Sequence, residues 1–241
     1  MEEKKEIKIA PLFEDADIAI CEKSTAILTL PSEKREKSLI DYLSDFYVGQ
    51  GKRVTLYPVH RLDRGTGGLV AFAKNKKAAA ELSSVFSEHR NTKEYLALLD
   101  GTPAEPSAEL CDILYADKKA NKAFVVSRER KGAKEARLFY EILKTRETEK
   151  GDVSLVRIEL KTGRMHQIRA QLSHIGTPLL GDGKYGSHNN SCQLALHAFH
   201  LKFSLGKKAY EFFSYPDVSL YPFCLFSDEI NALKRERRGE E

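Results

Sequence analysis

Strand-like segments recur along almost the whole chain and limit the folds open to it. Short apolar runs with alternating or continuous patterns occur at residues 15–31, 68–74, 92–101, 123–127, 136–145, 153–160, 194–205 and 209–215. Turn-forming residues separate several of them at hairpin distances. Many strands with few helices between them predict an α+β protein with a large mixed or mainly antiparallel sheet flanked by helices.

Helical periodicity is confined to four segments. Residues 38–49 repeat apolar side chains at helical spacing, with Ser38 placed to cap the start and Gly49 the end. Residues 75–90 place Leu82, Val85, Phe86 and His89 on one face. A third helix is predicted near residues 164–175, and a polar helix near 227–238 closes the chain.

Composition indicates a globular protein. The chain has 241 residues, of which 41% are hydrophobic and 31% charged, and its net charge is +4. This is enough apolar surface for a core, and the slight positive charge is compatible with a polyanionic partner without requiring one. Because no repeat or long linker interrupts it, we predict a single domain over residues 1–241. The charged start MEEKKEIK and the lack of a long apolar run predict a cytoplasmic protein without a membrane contact.

The cysteines and histidines do not follow the pattern of a disulfide framework or a metal site. Cys21, Cys111, Cys192 and Cys224 lie far apart and form no C-x-x-C pair. His197 and His200 are three residues apart on a predicted strand, which directs their rings to opposite faces. We therefore expect reduced thiols and no metal ion.

The stretch HRLDRGTGG at residues 60–68 combines a carboxylate, basic side chains and glycines. It lacks the G-x-x-x-x-G-K-[ST] pattern of a phosphate loop, and Val70 stands where a dinucleotide fingerprint needs its third glycine. Leu62 interrupts the H-R-D of a kinase catalytic loop. These three nucleotide-binding functions are therefore excluded.

A second dense stretch, KTGRMHQIRAQLSHIGTPLLGDGKYG, covers residues 161–186. If it is helical from about Arg164 to Ile175, Met165, Ile168, Leu172 and Ile175 form one apolar stripe and Arg169 lies at its margin. A buried arginine needs an anionic partner because it cannot lose its charge. Asp63 is a candidate partner, and a purely structural ion pair is the alternative.

These blocks resemble those of a known family. HRLDRGTGGLVAFAKN, KEYLALLDG, the stretch 161–186 and LALHAFHL follow one another as the signature blocks of RluA-type RNA pseudouridine synthases do. The resemblance covers about residues 11–215. It implies the pseudouridine synthase catalytic fold and isomerisation of uridine to pseudouridine in structured ribosomal or transfer RNA.

The resemblance also implies three catalytic residues. Asp63 corresponds to the catalytic aspartate, Tyr95 to the tyrosine that stacks on the target base, and Arg169 to the arginine that pairs with the aspartate. Polar and basic residues of the same two motifs are predicted to contact the RNA, namely Arg61, Arg64, Thr66, Arg164, His166 and Gln167.

Three positions depart from the family pattern. Gly67 replaces a serine, Ser24 follows Lys23 where the family has proline, and Gln171 stands where histidine is common. Many relatives also begin with an S4-type RNA-binding domain, for which we expect no room in this chain. These departures concern substrate selection more than the reaction.

The reaction itself accounts for the residue types. Pseudouridine formation breaks the bond between ribose C1′ and uracil N1 and rejoins the base through C5, so bonds are conserved and no cofactor is expected. An ionised Asp63 can act at C1′, at C6 or as a base, and a guanidinium favours that ionised form. The base must leave its helix, and an aromatic ring can receive it. Two alternatives are an inactive RNA-binding protein and a nucleoside or RNA N-glycosidase.

Positive charge is concentrated between Asp117 and Arg137. Eight basic residues face three acidic ones there: Lys118, Lys119, Lys122, Arg128, Arg130, Lys131, Lys134 and Arg137 against Asp117, Glu129 and Glu135. The segment is either an RNA-contacting surface or a solvated face. We expect the protein to act as a monomer.

Overall fold

The computed structural model describes residues 9–33, 36–128 and 130–239. Its strands are β1 (Phe13–Glu14), β2 (Ile18–Lys23), β3 (Tyr57–Pro58), β4 (Gly67–Ala73), β5 (Asn91–Asp100), β6 (Ser107–Asp117), β7 (Lys122–Val125), β8 (Ala133–Thr148), β9 (Gly151–Leu160), β10 (Leu196–Leu205) and β11 (Lys208–Phe213). Its helices are α1 (Leu39–Gly49), α2 (Lys76–Ser87), α3 (Gln167–His174) and α4 (Ser227–Arg238), with a short 3-10 helix at Phe223–Phe226. The α+β class with a mainly antiparallel sheet is confirmed.

The chain divides into two compact units. The first comprises the residues up to Asn91 together with Lys202–Phe212, and the second comprises Thr92–Leu201 and the residues from Phe213 onward. Strand β10 contributes its first residues to the second unit and its last to the first. The single domain over residues 1–241 stays a prediction.

The first unit is built around β4. This strand pairs antiparallel with β2 and also with the short β3, while β1 pairs with β2. All seven residues of β4 are buried, which explains its continuous apolar sequence. Helix α1 begins with a capping box between Ser38 and Asp41, and α2 is capped by Asn75, whose side chain accepts the Ala78 N–H.

The second unit has the strand order β5-β9-β8-β6-β7, and the registers of these pairs are all antiparallel. The hairpin of β8 and β9 is its longest element, and it contains an irregularity between Ile142 and Lys144. Helix α3 packs against β6 and β7, where Leu114, Ala123, Ala136 and Ala170 form a small core. A larger core around Leu96, Phe199 and Phe226 includes Ile230 of α4.

Three features of the second and third predicted helices differ from the sequence-based expectation. Helix α2 ends at Ser87, and His89 has a left-handed backbone with φ 57°, so it does not continue the buried face. Helix α3 begins at Gln167 instead of Arg164 because His166 is left-handed, with φ 51°. Ile175 of the predicted apolar stripe is 38% exposed, whereas Gln171, which is not part of that stripe, is fully buried.

Strand β6 was not predicted, because Glu109 and Asp112 interrupt its apolar pattern and much of it is only half-buried. The closing helix over 227–238 is confirmed as α4. Among the described residues, no helix is both long and apolar enough to cross a membrane.

Candidate active site

Asp63 lies in the loop between β3 and β4, and both of its chain neighbours are held by buried side chains. Thr29, 2% exposed, donates its hydroxyl to the Leu62 carbonyl at 2.9 Å and accepts the Leu62 N–H at 3.1 Å. Lys23, 1% exposed, donates from Nζ to the Arg64 carbonyl at 2.9 Å. The loop closes on itself through the Thr66 N–H, which donates to the Asp63 carbonyl. The backbone around Asp63 is therefore fixed before any substrate arrives.

Lys23 is a buried ionisable group beside this loop. Its Nζ also donates to the carbonyls of Ser24 and Ile27, each at 2.8 Å. Burial lowers the pKa of Lys23 to about 8, an effect that the charge of Asp63 opposes and that of Arg64 reinforces. Three carbonyl oxygens in the same small volume need donors, and the Lys23 ammonium group supplies one N–H to each.

Replacing Lys23 with methionine is expected to destabilise the protein in a pH-dependent way. At pH 9.5 the folded Lys23 is a neutral amine with two N–H donors, so the variant loses two hydrogen bonds and leaves their carbonyls without donors, and it should unfold more easily by roughly 2–4 kcal/mol. Since the folded pKa of about 8 lies below the ordinary value of 10.5, the unfolded chain binds more protons between these values, and the stability of the unmodified protein rises with pH. The difference between the two proteins should therefore widen by roughly 1–2 kcal/mol from pH 7.5 to 9.5.

Chemical denaturation at both pH values measures this difference. Lys93, whose pKa burial also lowers to about 8, is present in both proteins, so its contribution cancels. A difference in unfolding free energy that stays constant with pH would show that Lys23 is not buried as a titrating group.

The other polar residues of the HRLDRGTGG motif differ in their exposure and in their contacts. Arg61 is exposed, and Thr66 is 2% exposed. The Arg64 guanidinium forms an ion pair with Glu36. His60 accepts the Ala71 N–H at Nε2 and stacks on Phe86, which ties the motif to β4 and α2.

In the second unit, Arg169 forms a two-pronged ion pair with Asp182. Its Nε lies 2.6 Å from Asp182 Oδ2 and its Nη2 lies 2.8 Å from Oδ1. Only 1% of the Asp182 side chain is exposed. Gly181 makes the turn possible, since its φ is +81° and a Cβ there would meet the Gln193 carbonyl oxygen at 2.5 Å. The pair fixes the plane of the guanidinium.

Tyr185 connects Arg169 to the start of α3. The Arg169 Cζ lies 4.8 Å from the centre of the Tyr185 ring, and the tyrosine hydroxyl lies 3.0 Å from His166 Nδ1. The Ala123 N–H donates to that same hydroxyl at 2.7 Å. His166 holds its left-handed conformation directly before α3, and such strain in a motif is typical of functional segments.

Arg164 and Gln167 hold neighbouring backbone. The buried Gln167 side chain accepts from the Thr162 hydroxyl and the Arg164 N–H, and it donates to the Arg137 carbonyl. Arg164 Nε donates to the Glu135 carbonyl at 2.8 Å. Gln171, at the position where the family commonly has histidine, donates to Asp112 Oδ2 at 2.7 Å, but its own oxygen is buried without a hydrogen-bond partner.

Tyr95 lies on β5, where it pairs with Ile158 of β9 and is 6% exposed. It therefore belongs with Arg169 to the second unit, while Asp63 belongs to the first. The predicted pairing of Asp63 with Arg169, the stacking role of Tyr95 and the RNA contacts of the six motif residues stay predictions. Lys23, Thr29, Asp182 and Tyr185 are supporting residues that sequence reasoning did not identify. Lys23 stands at the lysine of the family's lysine-proline pair, and Asp182 and Tyr185 lie inside the second motif block; these positions were the signals in the sequence.

A family model described as RNA pseudouridylate synthase matches residues 17–174. The match spans Lys23, Asp63, Tyr95 and Arg169 and covers more than half of the chain. The chain belongs to the RNA pseudouridylate synthase family. Its members are isomerases that act on RNA, and the RluA-type resemblance of the motifs is confirmed.

Individual relatives of the chain are also named as pseudouridine synthases. The chain is 29% identical over 245 residues to the ribosomal large subunit pseudouridine synthase D of Borreliella burgdorferi, covering 94% of this chain and 72% of that protein. It is 36% identical over 166 residues to the tRNA pseudouridine synthase C of Haemophilus ducreyi, covering 62% of this chain and 67% of that protein. An uncharacterised RNA pseudouridine synthase of Aquifex aeolicus is 33% identical, and the match covers 77% of this chain and 58% of that protein.

The pseudouridylate synthase fold is also found in solved structures. Human RNA pseudouridylate synthase domain containing 1 superposes with a TM-score of 0.75 at 24% identity, covering 90% of this chain and 86% of that one. Human RNA pseudouridylate synthase domain containing 4 gives 0.73 at 20% identity, covering 92% and 93%. At these identities the likeness confirms the fold.

No cluster of three or more potential metal ligands occurs within residues 9–33, 36–128 and 130–239. All four cysteines carry free thiols, and burial raises the pKa of the Cys21 thiol to about 12.

Proposed function

We propose that this protein converts uridines of structured ribosomal or transfer RNA to pseudouridine with Asp63 as the catalytic carboxylate. The observation that carries this proposal is the support of the Asp63 loop: Leu62 and Arg64, on either side of Asp63, are each held by a buried side chain. The family match supplies the reaction. The named rRNA and tRNA synthases among the relatives support the substrate class.

In this proposal Arg169 pairs with Asp63 and keeps the carboxylate ionised. A guanidinium has five N–H donors, so the two bonds to Asp182 are compatible with a second carboxylate. Asp182 then acts as a positioning residue, because it fixes the plane of the guanidinium. The ionised Asp63 acts on the ribose or the base, and the cleaved uracil is retained until C5 is joined to C1′.

The uridine reaches this carboxylate by leaving its helix. RNA-modifying enzymes that act on a base pay for unstacking by stacking the extruded base on an aromatic ring. We propose Tyr95 for that contact, on the strength of its position in KEYLALLDG. Arg61, Arg64, Thr66, Arg164, His166 and Gln167 are proposed to position the nucleotide and its phosphates. A monomer acting in the cytoplasm remains our expectation.

Mapping of pseudouridine in RNA tests the proposed function. Ribosomal and transfer RNA from cells lacking the gene should gain pseudouridine at defined sites when incubated with the purified protein. Release of free uracil would instead identify an N-glycosidase. RNA binding without any change in the base would identify an inactive binding protein.

The basic segment between Asp117 and Arg137 is proposed to contact RNA phosphates. Its side chains are mostly exposed: Lys118 and Lys119 lie in the turn between β6 and β7, and Arg128, Arg130 and Lys131 lie between β7 and β8. Two of these side chains already have partners within the protein: Arg137 pairs with Glu135, and the Arg130 guanidinium lies 3.6 Å from the centre of the Tyr115 ring.

Charge removal in this segment should change the salt dependence of RNA binding. Replacing Lys118, Lys119 and Lys122, or Arg128, Arg130 and Lys131, with glutamine is expected to flatten the slope of log affinity against log salt by roughly one to three units. The rate at saturating RNA should change little. Titrations with total transfer RNA at salt concentrations of about 50–300 mM measure the slope for each protein. If both triple variants keep the slope and affinity of the unmodified protein, the segment is a solvated face.

A further inference from the structure

A groove between β7 and α3 lies beside the elements that hold Arg169 but includes none of the predicted catalytic residues. It has a volume of about 310 Å³, which is within the range of ligand sites. Its lining residues are Lys122, Ala123, Phe124, Val125, Ala170, Ser173, His174 and Tyr185. All of them belong to the second unit.

The groove combines an exposed aromatic ring with positive charge. Phe124 is 42% exposed, although it is a large apolar residue on an edge strand. Lys122 Nζ lies 5.5 Å from the Phe124 ring centre and 4.9 Å from that of Tyr185. The same Nζ donates to the Lys184 carbonyl at 2.7 Å, which fixes the ammonium group at the wall of the groove.

Strand alternation turns Phe124 away from the core, so core packing does not require a large apolar ring at this position. The apolar residues next to it, Ala123 and Val125, already pack into the core with Leu114 and Ala170. Exposed aromatic rings beside lysines are the usual platform for unpaired nucleic acid, since any base can stack on the ring while a cation meets the phosphate. The many basic side chains of the adjoining segment favour a polyanion here and disfavour an apolar protein partner.

We propose that this groove binds an unpaired RNA nucleotide that flanks the target uridine, with its base stacked on Phe124 and its phosphate against Lys122. The proposal rests on the proposed RNA substrate and extends it to a second nucleotide. Tyr185 joins the groove to Arg169, because its ring contacts both Lys122 and Arg169. A nucleotide in the groove therefore lies one side chain away from Arg169.

Binding of a fluorescently labelled decauridylate tests the groove directly. Phe124→Ala should weaken binding about tenfold, while Phe124→Trp should bind at least as well as the unmodified protein, because stacking contributes strongly and needs only a ring. Lys122→Gln should weaken binding and lower the salt slope by about 0.7, whereas Phe124→Ala should leave that slope unchanged. Leu220→Ala, at a residue that is 62% exposed, and Lys144→Gln, at another exposed residue, are the matched controls.

A decauridylate carrying 4-thiouridine locates the contact. Irradiation should link it to a peptide that contains Phe124, and Phe124→Ala should abolish that link. With structured RNA, Phe124→Ala should raise KM and leave kcat within about twofold, because the ring does not touch the reacting base. The melting temperature of each variant reports folding, which a half-exposed side chain should barely affect.

The experiments give different results if the proposed groove site is wrong and if the proposed function is wrong. If Phe124→Ala binds decauridylate and turns over structured RNA as the Leu220→Ala control does, the groove is not an RNA site although the enzyme is active. If the unmodified protein forms no pseudouridine in any RNA, the proposed function fails, and the crosslink alone decides whether RNA occupies the groove. A crosslink confined to other peptides overturns the proposal in either case.

Discussion

Replacing Asp63 with asparagine should abolish pseudouridine formation. The amide keeps the shape of the side chain but is a far poorer nucleophile and base, so the rate at saturating RNA should fall by about 10⁴-fold or more. The backbone bonds from Thr29 and Lys23 to Leu62 and Arg64 do not involve the carboxylate, so the loop should keep its conformation.

Single-turnover assays with structured RNA measure this loss. Melting temperature and RNA affinity should stay near those of the unmodified protein. Asp45→Asn, at an exposed carboxylate of α1 that pairs with Lys37, controls for the loss of one negative charge. An Asp63→Asn enzyme that turns over RNA at close to the normal rate would remove Asp63 from the mechanism.

Arg169→Ala should impair both activity and folding. Asp182 would remain buried with its charge unpaired, which costs about 3–5 kcal/mol of unfolding free energy. The contact with the Tyr185 ring would be lost as well. Activity should fall at least about a hundredfold, because the proposed partner of Asp63 is gone.

A double variant separates these two effects. Arg169→Met combined with Asp182→Leu removes both charges, and replacing a buried ion pair with apolar residues is often neutral for stability. Its melting temperature should therefore recover while its activity does not. Recovery of activity together with stability would show that the pair of Arg169 and Asp182 is purely structural.

Local patterns in the sequence predict most of the regular structure. Asn75 and the apolar spacing that follows it predict α2, and the uninterrupted run from Gly68 to Ala73 predicts β4, because caps and burial act within a few residues. Strand β6 was missed since its charged residues break the alternation. The predicted start of α3 was wrong because nothing in the neighbouring sequence indicates the left-handed backbone of His166, directly before the helix.

The residues of the candidate site also differ in how far the sequence predicts them. The family motifs indicate Asp63, Tyr95 and Arg169, but the residues that support them are fixed by long-range contacts. Lys23 reaches the Arg64 carbonyl across 41 residues, and no periodicity links two such positions. Asp182 is only 13 residues from Arg169, yet their contact depends on the turn at Gly181.

The complete burial of β4 has a consequence before the protein is folded. Its seven residues carry no charge and no proline, and five of them form the apolar run Leu69 to Ala73. Such windows self-associate in amyloid-like fashion when they are exposed during synthesis. Arg64 shortly before the strand and Lys74 directly after it are charged residues of the kind that oppose such association, and we expect Lys74, which pairs with Glu14 in the folded protein, to act in this way in the nascent chain.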